Sequence, residues 1–395
     1  MNLIKLTAIS ASALFLFTVA ILLRATELYL MSAAIASLPV LSAVIVLIAK
    51  RGIKCAQIMP ASTHEGTAFS IDTTITGAKR ALGPVWADVT LPKWLEPCCN
   101  TRSIRWSGAS AIQSIKVIPK KRGLYKIGST VLHLSDPLGL FLFSRKHTIE
   151  SRLVVLPRAV RIPGLQATLP AGGGWDYDMD GASVYGGGTE FHGVREYQHG
   201  DDLKRIHWRS AAHYGKLNVI EYEQAGRGHL VIAIERKKGT EAGKGPWSTL
   251  ECSIKIAAAI AKDSLKAGAS VRLSGLPDGS AASLYGSGPD HLGQILYSLA
   301  SLEADAEESI GPTLLRELGG MSKEAAVICL VPELTDDLAG HLAILAERGV
   351  RSHVVLLLSE RGAALPSSIT DRITSAGALF TPVECSRVKE LAHAT

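Results

Sequence analysis

Chemistry-bearing residues are densest between Gly186 and Gln224, in the string GGGTEFHGVREYQHGDDLKRIHWRSAAHYGKLNVIEYEQ. Glu190, Arg195, Glu196, Tyr197, Asp201, Asp202, Lys204, Arg205, Trp208 and Arg209 lie here, with His192, His199, His207 and His213, four of the chain's twelve histidines. Three chemistries are open to such a set. Arg195, Arg205 and Arg209 can form bidentate pairs with Glu190, Glu196, Asp201 or Asp202, with Trp208 stacked on a guanidinium, in a fixed ion-pair network. The same side chains, left exposed, are of the types that dominate protein docking surfaces. The third possibility is catalysis: a metal-dependent hydrolase built from Asp201, Asp202 and the histidines.

The spacing weighs against the third. Intervals of seven, eight and six between the histidines match neither one face of a helix nor the compact ligand pairs of zinc sites. The neighbouring Arg and Lys repel a cation. No G-x-S-x-G elbow and no H-E-x-x-H occurs, and Ser210 near His207 lacks a third group or an oxyanion donor. Gly200-Asp201-Asp202 reads as a turn that opens a short helical segment, its carboxylates capping exposed amides. We therefore expect an interaction motif, Arg195, Glu196, Tyr197, Gly200, Asp201, Asp202, Arg205, Trp208 and Arg209, with no catalytic residue and no cofactor.

Elements that must position this segment flank it on both sides. The chain has 395 residues, a net charge of +6 and a mean hydropathy of +0.20. A charge that small, without a basic stripe elsewhere, argues against a nucleic-acid partner. Most of the apolar excess lies in the first 50 residues. Leu6 to Leu23 and Leu28 to Ala49 are free of charge except at their connection, and each is long enough to cross a hydrocarbon core. Lys5 precedes the first span, and Lys50, Arg51 and Lys54 follow the second. The positive-inside rule then puts both ends, and everything after them, on the cytoplasmic side of the inner membrane. Six cysteines without framework spacing read as free thiols in a reducing compartment.

Residues 53–160 alternate in short runs such as Ala68 to Ile75 and Thr130 to Leu134, broken by Gly, Pro, Asn and Asp. This is the pattern of a β-sandwich. Residues 161–189, with Ala171-Gly172-Gly173-Gly174 and Gly186-Gly187-Gly188, read as a Gly-rich linker. From residue 190 the signature motif leads into alternating buried strands and amphipathic helices, an α/β domain with a Rossmann-like parallel sheet. Residues 1–52 form the two-helix transmembrane anchor.

The string from Arg195 to Ala212, REYQHGDDLKRIHWRSAA, resembles the signature of the bacterial family called domain of unknown function fifty-eight. R-G-x-Y at Arg122 to Tyr125 and D-P-L-G-L-F at Asp136 to Phe141 are similar to that family's motifs too. Lys204 and His213 depart from it, standing where Arg is usual, and neither offers a planar bidentate fork. The resemblance implies a C-terminal von Willebrand A-like domain, and as partners a MoxR-type AAA+ ATPase and a transglutaminase-like membrane protein. Von Willebrand A domains that bind Mg²⁺ place Asp-x-Ser-x-Ser after the first strand, giving a hard cation oxygen ligands. Here that place reads Glu235-Arg236-Lys237-Lys238-Gly239, so the metal site is expected to be degenerate, with Glu235, Lys237 and Gly239 as its vestige. Glu333, Asp336 and Asp337 read either as a remnant of it or as a strand-end loop and helix cap.

Overall fold

The computed structural model describes residues 3–50, 53–77, 83–98, 103–107, 110–165, 191–196, 218–222, 228–276, 280–321, 325–359 and 367–394. They fall into two compact units, Met1–Leu156 and Pro157–Thr395.

The first unit opens with α1 (Leu3–Leu23) and α2 (Thr26–Ala49), both long and apolar enough to cross a membrane. The turn between them places Arg24 at φ 47°. The Ser32 hydroxyl donates to the Ala13 carbonyl at 2.9 Å, and Phe17 meets Tyr29 edge-on with centroids 5.9 Å apart, so the helices run back alongside each other. Nine strands follow: β1 (Lys54–Ile58), β2 (Ser62–His64), β3 (Phe69–Thr76), β4 (Val85–Val89), β5 (Leu95–Pro97), β6 (Ser103–Ser107), β7 (Ser110–Pro119), β8 (Gly123–Ser135) and β9 (Leu142–Leu156). One sheet runs β1-β3-β7-β5 with β6 also on β7, and the other runs β2-β9-β8-β4.

Alternation along β3, with Phe69, Ile71 and Ile75 inward, sends every second side chain into apolar clusters that draw on both sheets. One cluster joins Phe69, Ile71 and Val117 from the first sheet to Ile127, Leu153 and Val155 from the second. The Gln113 side chain on β7 crosses to the free edge of β4, accepting from the Ala87 amide at 2.8 Å and donating to the Ala87 carbonyl at 2.7 Å. An edge strand's orphan amide and carbonyl are thus satisfied by the facing sheet. In the R-G-x-Y motif the Tyr125 hydroxyl donates to the Lys121 carbonyl at 2.8 Å and fixes the turn into β8.

The second unit contains a two-stranded antiparallel pair, β10 (Phe191–Glu196) and β11 (Asn218–Tyr222), and a five-stranded sheet. Its strands are β12 (His229–Ile234), β13 (Ser270–Leu273), β14 (Ala326–Val331), β15 (Arg351–Leu358) and β16 (Leu379–Glu384), in the order β13-β12-β14-β15-β16 and all parallel. The helices are α3 (Thr249–Lys266), α4 (Gly288–Ser301), α5 (Ile310–Glu317), α6 (Asp336–Glu347), α7 (Ser367–Ser375) and α8 (Cys385–Ala394). Continuous apolar runs in the strands require cover on both faces. Leu230, Ile232 and Ile234 pack with α3, α4 and α8, while Val231 and Ala233 pack with α5, α6 and α7.

Part of the segment read as a linker from residue 161 is packed. Val160, Ile162 and Leu165 are buried in the α/β core, and the Val160 amide donates to the Lys255 carbonyl at 3.1 Å. Arg161 pairs with Asp263 of α3. Apolar residues two and three apart in this stretch gave no periodic signal, because they dock on a helix more than ninety residues away. The remaining linker residues, 166–189, lie outside the described residues.

Candidate functional site

In the signature segment, Arg195 and Glu196 end β10, facing Val219 and Asn218 across the antiparallel pair. A register shift falls between Phe191 and Gly193. Residues 197–217, between the two strands in sequence, lie outside the described residues. Tyr197, Gly200, Asp201, Asp202, Arg205, Trp208 and Arg209, like His199, His207 and His213, lie outside the described residues. What is described is the base of the motif, whose two ends are held side by side in an antiparallel pair.

The other candidate, the carboxyl edge of the parallel sheet, is described in full. With β13 on one side of β12 and β14 on the other, the chain reverses its direction of winding between β12 and β14. Open α/β sheets take their ligands at such a point. Glu235 follows β12 directly, with its amide donating to the Leu330 carbonyl at 3.0 Å. Both oxygens of its carboxylate accept hydrogen bonds. Oε1 accepts from the Arg236 and Lys237 amides, both at 2.9 Å, and Oε2 accepts from the Ile310 amide at the start of α5, at 3.0 Å. Three N–H dipoles converge on this one carboxylate, as they do on an N-cap side chain, and the same dipoles oppose a cation.

Arg236 is not part of a solvated basic cluster. Its guanidinium donates to the Gly275 carbonyl at 2.8 Å and the Glu303 carbonyl at 3.1 Å, and pairs with Asp305. The Arg236 hydrogen bond holds the Asp305 carboxyl below the usual carboxylate range. Glu317 works from the opposite side, accepting from the Gly275 amide at 2.9 Å and from Arg272 at 3.0 Å. The loops after β12, β13 and α4 are thereby tied to one another. Lys237, Lys238 and Gly239 are exposed, with Gly239 at φ 87°.

At the end of β14, Thr335 caps α6 by accepting from the Leu338 amide at 3.2 Å. Asp336 pairs with Arg372 of α7, and Asp337 lies in the first helical turn. Of the two readings of Glu333, Asp336 and Asp337, the structure gives the second for the aspartates: they belong to a capped helix start. No group of three or more His, Cys, Asp or Glu is arranged to hold a metal among the described residues.

Two features lay beyond the sequence reading. Cys252 on α3 and Cys385 at the start of α8 are both buried, and their thiols share a hydrogen bond. That bond, with burial, pushes Cys252 up. Cys385 is drawn down by the same bond and by the ammonium of Lys255, against its own burial. Lys255 is itself buried, donating to the Pro246 carbonyl at 2.8 Å and lying 4.7 Å from the Trp247 ring. A separation of more than 130 residues hid this pairing. His353 on β15 is the second feature: burial holds its imidazole down at about 4, with Nε2 2.9 Å from the Thr381 hydroxyl.

Residues 193–376 match the model of the family described as "Protein of unknown function DUF58", which bears out the resemblance drawn from the signature string. The match begins on β10 and ends after α7, so it takes in the charged segment and most of the α/β unit. A curated relative, "Uncharacterized protein YeaD" of Bacillus subtilis (strain 168), is 25% identical over 269 residues, covering 66% of this chain. The chain spans 62% of the length of that relative.

Proposed function

We propose that the protein is a membrane-anchored, non-enzymatic interaction protein of the DUF58 type. Its anchor is the α1–α2 hairpin, its β domain a β-sandwich, and its α/β unit a von Willebrand A-like domain. The charged segment of residues 197–217 and the carboxyl edge of the sheet present a docking surface to a MoxR-type AAA+ ATPase, in an envelope or complex-assembly role. A transglutaminase-like membrane protein is the second partner implied by the resemblance. Both ends of the anchor and both large domains lie in the cytoplasm.

The observation that carries this reading is the state of Glu235. Its carboxylate, in the place where a Mg²⁺-binding loop has its first ligand, is spent on three backbone amides. Helix seating has taken over the position, which leaves recognition to the exposed charges. The two sheets that share apolar clusters support the sandwich assignment, and a parallel sheet covered on both faces supports the von Willebrand A-like one.

The test is co-purification of the full chain from detergent-solubilised membranes, with partners identified by mass spectrometry. Wild type is expected to retain an AAA+ ATPase, and the pair Arg205→Glu with Trp208→Ala to lose it. Undiminished capture by that double variant, or no ATPase with wild type, overturns the proposal. Stoichiometric zinc or manganese in the purified protein, lost on Asp201→Asn with Asp202→Asn, points instead to the metal-dependent hydrolase.

A further inference from the structure

The D-P-L-G-L-F segment sits against the anchor at a height that can be measured along the helices. In the hairpin, Ala13 lies opposite Ser32 and Phe17 opposite Tyr29. Continued at that register, Lys5 lies level with the turn of α2 that holds Ser42. The loop after β8 touches the hairpin at this level from both sides. Lys5 Nζ donates to the Leu138 carbonyl at 3.2 Å, and the buried Ser42 hydroxyl donates to the Asp136 carboxylate. Gly139, at φ 66°, lets the loop come this close: a Cβ there would stand 3.1 Å from Lys5 Nζ.

From the connecting turn at Arg24 back to Lys5 the helix rises about 29 Å at about 1.5 Å per residue, the thickness of a bilayer's hydrocarbon core. Beyond Ser42 one face of the helix turns into the β domain, while Val44, Leu47 and Ile48 stay exposed. Val46, Ala49 and the following Ile53 are buried with Leu132, Leu134 and Ala87 in the β domain. The loop therefore lies at the hydrocarbon boundary, where apolar side chains have a reason to face outward. Leu138 is 42% exposed and Leu142 49% exposed, and Leu3 and Ile4, which precede Lys5 on α1, are exposed as well. Leu140, between the two leucines, is buried. The loop presents part of its apolar complement outward and sends the rest into the core.

We infer that this loop is an interfacial foot: Leu138 and Leu142 enter the boundary between headgroups and acyl chains of the same leaflet, and the Lys5 ammonium snorkels to its phosphates. The inference rests on the anchoring proposed above and adds a second point of membrane contact, made by the β domain itself. The Ser42–Asp136 hydrogen bond holds the foot at its height.

The test uses the full chain in nanodiscs containing phosphatidylcholine and phosphatidylglycerol. In a background with Cys55, Cys98 and Cys99 changed to Ser, an environment-sensitive fluorophore is attached at Leu138→Cys, Leu14→Cys or Leu124→Cys. Leu14 lies mid-helix, and Leu124, 53% exposed, lies at the opposite end of β8. Nitroxide lipids labelled near the headgroup are expected to quench most of the signal at residue 138, deep-labelled lipids that at residue 14, and neither that at residue 124. A residue 138 signal as insensitive as that of residue 124, with residue 14 still quenched, overturns the foot and leaves the anchor. Insensitivity at residue 14 as well overturns both.

Discussion

Two carboxylates, one in each unit, do the same local job and differ in what they join. Asp136 follows β8 and folds back on its own loop, accepting from the Leu138 amide at 3.0 Å and the Phe141 amide at 2.7 Å. Glu235 follows β12 and accepts from the Arg236 and Lys237 amides, both on one oxygen. Each then takes one donor from far along the chain. For Asp136 it is the Ser42 hydroxyl on a membrane-type helix, and for Glu235 the Ile310 amide at the start of α5. In both units a carboxylate after a strand fixes the loop that follows, and the third donor decides whether it fastens an apolar helix or seats a short one. Burial separates the two further: Asp136 is 1% exposed, while Glu235 is only partly buried.

The largest effect is expected at the more buried carboxylate. Asp136→Ala leaves two amides and a buried hydroxyl without their acceptor, at a cost of about 3–4 kcal/mol. Thermal melting of the full chain in detergent checks this, and a loss no larger than that of Glu235→Ala breaks the ordering. Acid sharpens the contrast between the units. His353 titrates at about 4 when folded and at its ordinary 6.5 when unfolded, so between these values the unfolded chain binds more protons. Its contribution is complete above pH 6.5 and lost as pH falls through 4, about 3 kcal/mol in all. Burial pushes Asp136 up, but the hydrogen bonds from Ser42, Phe141, Leu138 and Leu140 outweigh it and hold its carboxyl low. Its contribution is present above the ordinary carboxylate value of 3.8 and lost only in stronger acid. Acid titration followed by hydrogen exchange should therefore loosen the α/β unit first, and His353→Gln should remove that early slope.

Glu235→Ala is expected to cost about 2 kcal/mol, chiefly by uncapping α5, with hydrogen exchange rising at the amides of Arg236, Lys237 and Ile310. Ser42→Ala is the smallest of the series, about 1–2 kcal/mol, since Asp136 keeps its two loop amides. Melting of the β domain should register it while the α/β unit is unaffected.

The contrast also shows what a sequence can and cannot display. Strands of the parallel sheet were legible because burial on both faces makes them continuous apolar runs, as in Ala326 to Val331. The loop from Asp136 to Phe141 was legible as a motif, D-P-L-G-L-F, through the resemblance. The donors that give Asp136 and Glu235 their meaning were not, lying 94 and 75 residues away along the chain. Short helices escaped for a different reason. The helix Ile310–Glu317 carries Gly311 and Pro312 in its first turn, and Cys385–Ala394 mixes charges into its buried stripe. The antiparallel pair β10–β11 was hidden because Arg195, Glu196 and Glu221 break any apolar alternation. The motif's own side chains lie outside the described residues.

The central claim is that the strand-end carboxylate of the α/β unit is a helix cap and not a cation ligand. Calorimetric titration of the full chain with Mg²⁺, wild type beside Glu235→Gln, tests it most directly. The account predicts no saturable binding that distinguishes the two proteins. A saturable Mg²⁺ isotherm in wild type that disappears in Glu235→Gln would contradict it.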